Sequence, residues 1–183
     1  MKGIIFNLFE SVVQSHYGED VWDELLEKAR LDGVYTSLGS YDDSDFRGLV
    51  EAASASWGMS GDEVVRWFAR NALPLIATTY PGLFSPHQST RPFVLTLNSI
   101  IHPEVRKLYP GADVPEFDFD NSNEDFLLMT YRSPRKLCAF AQGLVEGAAA
   151  HYGEEVTFEQ PECMLRGDEA CVFHIRFSSL KVT

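Results

Sequence analysis

Three cysteines, Cys138, Cys163 and Cys171, are too few and too odd in number for a disulfide framework, since pairing any two strands the third. A reducing cytoplasm is the compartment that fits. Positive charge is scarce as well: 15 Lys and Arg stand against 27 Asp and Glu, a formal net charge of −12. That balance repels phosphate backbones and anionic headgroups, which argues against nucleic acid and membrane surfaces as partners. Most of the carboxylates, Asp42-Asp43 and those between Asp118 and Asp125 among them, read as solvated surface. No apolar run reaches membrane-spanning length, and residues 1–10 lack the long apolar core and small-residue cleavage site of a secretion signal. Internal repeats, low-complexity tracts and long linkers are missing too. What is present is 183 residues, 45% of them hydrophobic, enough for the core of one domain with room for two lobes.

Apolar residues at three- and four-residue spacing predict helices through the first half: Ile4, Ile5, Leu8 and Val12, then Trp22, Leu25, Leu26 and Ala29, with Gly33 ending the pattern. Ser44 is the expected cap of a helix burying Phe46, Leu49, Val50 and Ala53 and stopping at Gly58. Ser60 and Glu63 form a capping box for the next, which carries Val64, Trp67, Phe68, Leu75 and Ile76 and should kink at Pro74. Pro92 opens another helical stretch with the stripe Val94, Leu97, Ile101, Val105 and Leu108, and His102 lies beside that stripe. Beyond Pro110 the period changes to two. Residues 116–119 and 126–131 read as strands around Asn121-Ser122-Asn123, and a helix should run from Pro134 to about Tyr152 with Ser133 as its N-cap. Residues 155–159, 163–166 and 171–178, with a Gly167-Asp168 turn, read as further antiparallel strands.

Tyr131-Arg132-Ser133-Pro134-Arg135 places a phenol, a hydroxyl and a guanidinium at alternate positions, and Pro134 favours extended backbone at Ser133. In that conformation three donors point the same way and suit a dianionic ligand held on an apolar face, such as a propionate-bearing macrocycle. Spacing alone equally describes a strand-end Tyr, a capping Ser and a surface Arg. His102, on a separate and mostly apolar helix, is of the residue type that ligates haem iron in a water-poor pocket; by itself it reads as a core histidine.

Together, His102 and Tyr131-x-Ser133-x-Arg135 closely resemble the haem-ligand and propionate-binding signature of the H-NOX (haem-nitric oxide/oxygen binding) family. The resemblance covers essentially the whole chain, through the Met1-Lys2-Gly3-Ile4-Ile5 opening, Trp22, Pro115 and Leu144, and is to the stand-alone bacterial type. It implies an α+β fold: an N-terminal helical distal lobe over about residues 1–65, a proximal lobe of helices plus an antiparallel four-stranded sheet over about 66–183, and haem b between them. His102 would be the iron ligand and Tyr131, Ser133 and Arg135 the propionate grip. Ile5, Leu75, Phe140 and Leu144 would line the haem and Pro115 would press on it, the rival reading of these five being ordinary core packing.

In oxygen-binding relatives a Tyr on the helix after the signature donates to bound dioxygen. Here that helix has no Tyr before Tyr152, and a pocket of Phe9, Leu75, Phe140 and Leu144 offers no donor. The implied ligand is nitric oxide, with carbon monoxide weaker and no stable dioxygen complex. The implied switch is loss of the His102–iron bond on nitric oxide binding, which frees the helix and the region of Pro115 so that the lobes move. With no kinase, cyclase or phosphodiesterase module among the 183 residues, the expected output is a signalling enzyme in trans, a histidine kinase or cyclic-di-GMP enzyme. The chain reads as a sensor and not an enzyme, since His16, His87, His151 and His174 fall on segments that need not face iron. Pro103 directly after His102 predicts a kink or restart there.

Cys138, Cys163 and Cys171 could be gathered around one metal, and thiolates favour zinc. Similar family members hold structural zinc with three Cys and a His three positions before the middle Cys, where this chain has Gln160. Glu162, His174, water or a lost site with oxidisable thiols are the alternatives, although His174 should point to the opposite strand face from Cys171. Cys163-x-x-x-Gly167-Asp168-x-x-Cys171-x-Phe173-x-Ile175 also resembles the C-terminal hairpin of vinyl-reductase-type small-molecule-binding domains. A haem-free ligand-binding or scaffold module is therefore the alternative reading.

Overall fold

The computed structural model describes residues 1–179. Four helices come first: α1 (Gly3–Tyr17), α2 (Glu19–Ala29), α3 (Asp43–Trp57) and α4 (Gly61–Thr79). Their apolar faces enclose one cluster, with Phe6, Phe9, Trp22, Leu25, Phe46, Leu49 and Phe68 at its centre. The predicted capping box starts α4: Ser60 Oγ accepts from the Glu63 amide and the Glu63 carboxylate accepts from the Ser60 amide. The expectation at α3 is corrected by two residues, because Asp42, not Ser44, is the cap and accepts from the Ser44 amide at 2.8 Å. At α2 the helix ends on Arg30 in left-handed conformation, ahead of Gly33.

Short helices α5 (Pro81–Phe84) and α6 (Thr90–Val94), a wide turn over Leu97–Ile101 and α7 (His102–Leu108) lead into the sheet. Strands β1 (Glu116–Asp120), β2 (Leu127–Arg132), β3 (Glu154–Glu162) and β4 (Cys171–Ser179) form an antiparallel sheet of order β1-β2-β4-β3. The period-two pattern puts Phe117, Leu127, Met129, Tyr131, Cys171, Phe173 and Ile175 on one buried face. Helix α8 (Cys138–His151) covers that face and completes a second apolar cluster. The two clusters part within α4, Ala72 belonging to the first and Leu73 to the second. Helix α4 continues through Pro74.

Two segments differ from the sequence expectation. Residues 163–166 form a tight helical turn over Met164–Arg166 in place of a strand, closed by the Arg166 amide donating to the Cys163 carbonyl at 2.8 Å. Helix α8 begins at Cys138, four residues after the predicted start at Pro134, because Lys136 adopts φ +52 and its amide closes a turn onto the Ser133 carbonyl. Ser133 therefore caps that turn and not the helix. Among the described residues no helix is long and apolar enough to cross a membrane.

Glycine is required where α4 and α8 touch. A methyl group at Gly143 would collide with the Arg66 carbonyl oxygen and come within 2.7 Å of Ala69 Cβ. Gly143→Ala should lower stability by about 1–3 kcal/mol, the usual cost of overpacking, read as a fall in the denaturant midpoint; an unchanged midpoint would show that the helices separate at no cost.

Candidate functional site

The segment bearing His102 is irregular for a local reason. Pro103 has no N–H to donate back along the helix, and the preceding turn widens so that Ile101 and His102 donate to carbonyls five residues earlier, those of Thr96 and Leu97. His102 itself is helical at φ −65, ψ −38, so the disturbance predicted at Pro103 falls in the turn before it. The side chain is only 9% exposed and makes no hydrogen bond among the described residues. Its ring lies 5.6 Å from that of Phe117, which pairs with Tyr131 across β1 and β2 and meets the Tyr131 ring edge-on at 5.5 Å. Burial, with the Arg106 charge second, pushes the imidazole down to about 4, so it is neutral near pH 7.

The Tyr131, Ser133 and Arg135 side chains are presented by the end of β2 and the turn after it. Tyr131 is buried and its hydroxyl accepts from the Leu137 amide at 3.0 Å, satisfying a donor at the start of α8; burial raises its phenol above the ordinary range. Ser133 Oγ, also buried, accepts from the Arg135 amide at 3.3 Å. Arg135 reaches in two directions: Nε donates to Asp43 Oδ2 at 2.8 Å, and Nη1 to Asp113 Oδ2 at 2.8 Å and the Asp113 carbonyl at 3.0 Å. Burial opposes ionisation of Asp43, but the Met1 ammonium and Arg135 outweigh it and hold the carboxyl below its usual value. Asp43 and Asp113 are partners that sequence reasoning missed. Asp43 was expected on the solvated surface, and no local signal marks a contact 92 residues away in the chain.

The pocket residues are divided. Ile5 and Phe140 pack on the first cluster and Leu144 on the second. Phe140 lies 5.7 Å from Phe68, which lies 4.7 Å from Phe9, an aromatic group without polar atoms. Pro115 is half-buried just before β1, whereas Leu75 is 38% exposed on α4. Tyr152 donates to the Phe84 carbonyl at 2.9 Å, and its hydroxyl is therefore engaged away from this group.

The three cysteines do converge. Cys163 Sγ is 3.9 Å from Cys138 Sγ and 3.8 Å from Cys171 Sγ, all three are buried, and their sulfurs lie within 4.8 Å of one another. Burial alone would raise the Cys163 thiol, but the Leu165 and Arg166 amides and the adjacent thiols bring it below its ordinary value. The Met164 amide donates to Cys171 Sγ at 3.3 Å. Gln160 flanks the cluster with its Oε1 accepting from Gln142 at 3.2 Å and its Nε2 buried without a partner. His174 is directed away, against the Phe126 ring at 4.7 Å. A cleft of about 230 Å³, lined by Arg66, Gln142 and Gln160 among others, reaches Cys138 and Cys163.

Comparison with known proteins places this arrangement in a family. Residues 2–160 match the Haem-NO-binding family, and the chain belongs to it. The fold is similar to an H-NOX protein from S. oneidensis in the Fe(II)NO ligation state, with TM-score 0.91 and 31% identity over 98% of this chain and 100% of that one. It is also similar to the Fe(II) unliganded H-NOX protein from K. algicida, with TM-score 0.87 and 29% identity over 100% of both chains. Soluble guanylate cyclase 89Da of Drosophila melanogaster is 28% identical over 164 residues, 85% of this chain. The chain spans only 24% of the length of that relative. As a member of the H-NOX family this is a haem-binding gas-sensor domain and not a catalytic one.

The depressed imidazole predicts a pH signature for the haem-free protein. Because the unfolded His102 takes up its proton near its ordinary value and the folded one only near 4, stability should be full above about pH 6.5 and decline as pH falls toward 4. His102→Leu should flatten that part of the denaturation profile; an equal decline in the variant would assign it to other groups.

Proposed function

We propose that this chain is a haem b-based nitric oxide sensor with His102 as the iron ligand, and that its conformational response regulates a signalling enzyme in trans. The observation that carries the reading is the buried, neutral imidazole of His102, free of hydrogen bonds among the described residues, in a chain of the Haem-NO-binding family. A neutral nitrogen with no competing partner is what a metal requires of histidine. The donor set also suits the porphyrin carboxylates: Arg135 already grips two carboxylates, and the Tyr131 and Ser133 hydroxyls flank it in sequence. Haem bound here would supply a ferrous iron able to take a diatomic gas. Ile5, Phe140, Leu144 and Leu75 would bound the macrocycle, with Pro115 against it.

The residues that would meet the gas favour nitric oxide. The Phe9, Phe68 and Phe140 rings carry no hydrogen-bond donor, and the one Tyr of the segment after the signature, Tyr152, is committed to Phe84. Dioxygen would thus find no stabilising partner, and carbon monoxide would bind more weakly than nitric oxide. His102 sits on a seven-residue helix in which it alone is buried, so a change in what it holds is free to become a change in helix position. A histidine kinase or a cyclic-di-GMP enzyme is the proposed reader, in a reducing cytoplasm that keeps the thiols free. Reconstituted protein should show a Soret band that moves on adding nitric oxide to the reduced form and stays in place in air. His102→Gly should abolish the band unless imidazole is added, and Arg135→Ala should speed haem loss by roughly ten-fold, as expected for one charge-assisted pair. A band unaffected by His102→Gly would overturn the ligand assignment.

Zinc on Cys138, Cys163 and Cys171 is the second part of the proposal. Three converging thiols, one held low by amide donors, fit a thiophilic ion. Gln160 supplies no imidazole, and the fourth donor is proposed to be water from the adjoining cleft. Purified protein should carry about one zinc per chain by elemental analysis, and Cys163→Ser should lose it; metal-free wild-type protein that rejects added zinc would remove this part.

A further inference from the structure

The helix that carries His102 has little to hold it. Helix α7 is seven residues long, far below the length at which a helix is stable alone, and Val105, on the turn after His102, is only half-buried. Two hydrogen bonds fix its flanks. Upstream, the Asn98 amide donates to the Phe117 carbonyl on β1 at 2.6 Å. Downstream, the Tyr109 hydroxyl meets the Tyr80 hydroxyl at 2.5 Å.

The second bond joins two distant parts of the fold. Tyr109 ends α7 and is 9% exposed, and burial together with the Tyr80 contact raises its phenol above the ordinary range. Tyr80 ends α4, its amide donating to the Ile76 carbonyl at 2.8 Å, and is followed by Pro81, which fixes the exit of the chain. Helix α4 passes through both apolar clusters. A phenol pair at this place ties the far end of the His102 helix to the frame of the molecule, while Asn98 ties the near end to the sheet.

We infer that Tyr109, clasped by Tyr80, is a positioning residue for His102: the phenol pair sets where α7 sits and hence how strongly His102 is drawn toward or away from its metal. The inference rests on His102 being the iron ligand. In Tyr109→Phe or Tyr80→Phe the ring and its packing remain and only the bond between the hydroxyls is lost, so α7 gains freedom without a cavity forming.

The test is the iron–histidine stretching band in the resonance Raman spectrum of the reduced haem-loaded protein, compared among wild type, Tyr109→Phe, Tyr80→Phe and the double variant. Each single change should shift the band in the same direction and by the same amount, and the double should shift it no further, because both remove one bond. Tyr41→Phe, which breaks a phenol contact with the Thr36 amide beside the cluster of the first four helices, should leave the band in place, separating positioning from general loosening of the core. A wild-type band that Tyr109→Phe leaves unmoved, even with a lowered unfolding midpoint, would overturn the clasp alone. Absence of the band from wild type would overturn the His102 assignment and the clasp with it.

Discussion

The close approach of α4 and α8 is the constraint on which the rest of the architecture depends. Gly143 faces the backbone of Arg66 and Gly147 that of Arg70, and at either position a side chain would drive the helices apart. Pro74 contributes from the other side, since it has no N–H to engage the Arg70 carbonyl that Gly147 approaches. Arg66 and Glu146 pair across the same seam. Because α4 crosses both clusters and α8 covers the sheet, this contact fixes the first four helices against the β-sheet.

Arg135 makes the complementary polar connection. Its guanidinium joins Asp43 at the start of α3 to Asp113 on the loop before β1, linking helices, signature turn and the approach to Pro115. The pairs are partly exposed, and their contribution to stability is correspondingly modest. Their consequence is positional: each pair fastens this turn to a segment distant in the chain, the start of α3 on one side and the loop leading to β1 on the other.

Much of this was legible from residue pattern. The helical stripes, the capping box at Ser60 and Glu63, the strands after Pro110 and the strand-face argument against His174 all rest on local periodicity or local hydrogen bonding, which short segments specify. The errors arose where local signals competed. Ser133-Pro134 reads as a helix start, but the left-handed Lys136 and the Tyr131 hydroxyl on the Leu137 amide delay α8 to Cys138. Cys163 to Arg166 reads as a strand ahead of the Gly167-Asp168 turn, yet the Arg166 amide closes onto the Cys163 carbonyl and the Cys163 amide onto the Asp168 carboxylate, which fold it into a turn.

The sequence by itself determined most of the helix and strand periods, carried the resemblance to the H-NOX family, and, through its odd number of cysteines, left at least one thiol without a partner. Tertiary structure alone decided that Asp43 lies against Arg135, that Tyr80 clasps Tyr109, that Gly143 and Gly147 are points of helix contact, and that the three sulfurs meet. The division has a physical reason. Periodicity and capping are set by neighbours within a turn or two, whereas each of these contacts joins segments far apart in the chain and exists only once both apolar clusters have closed.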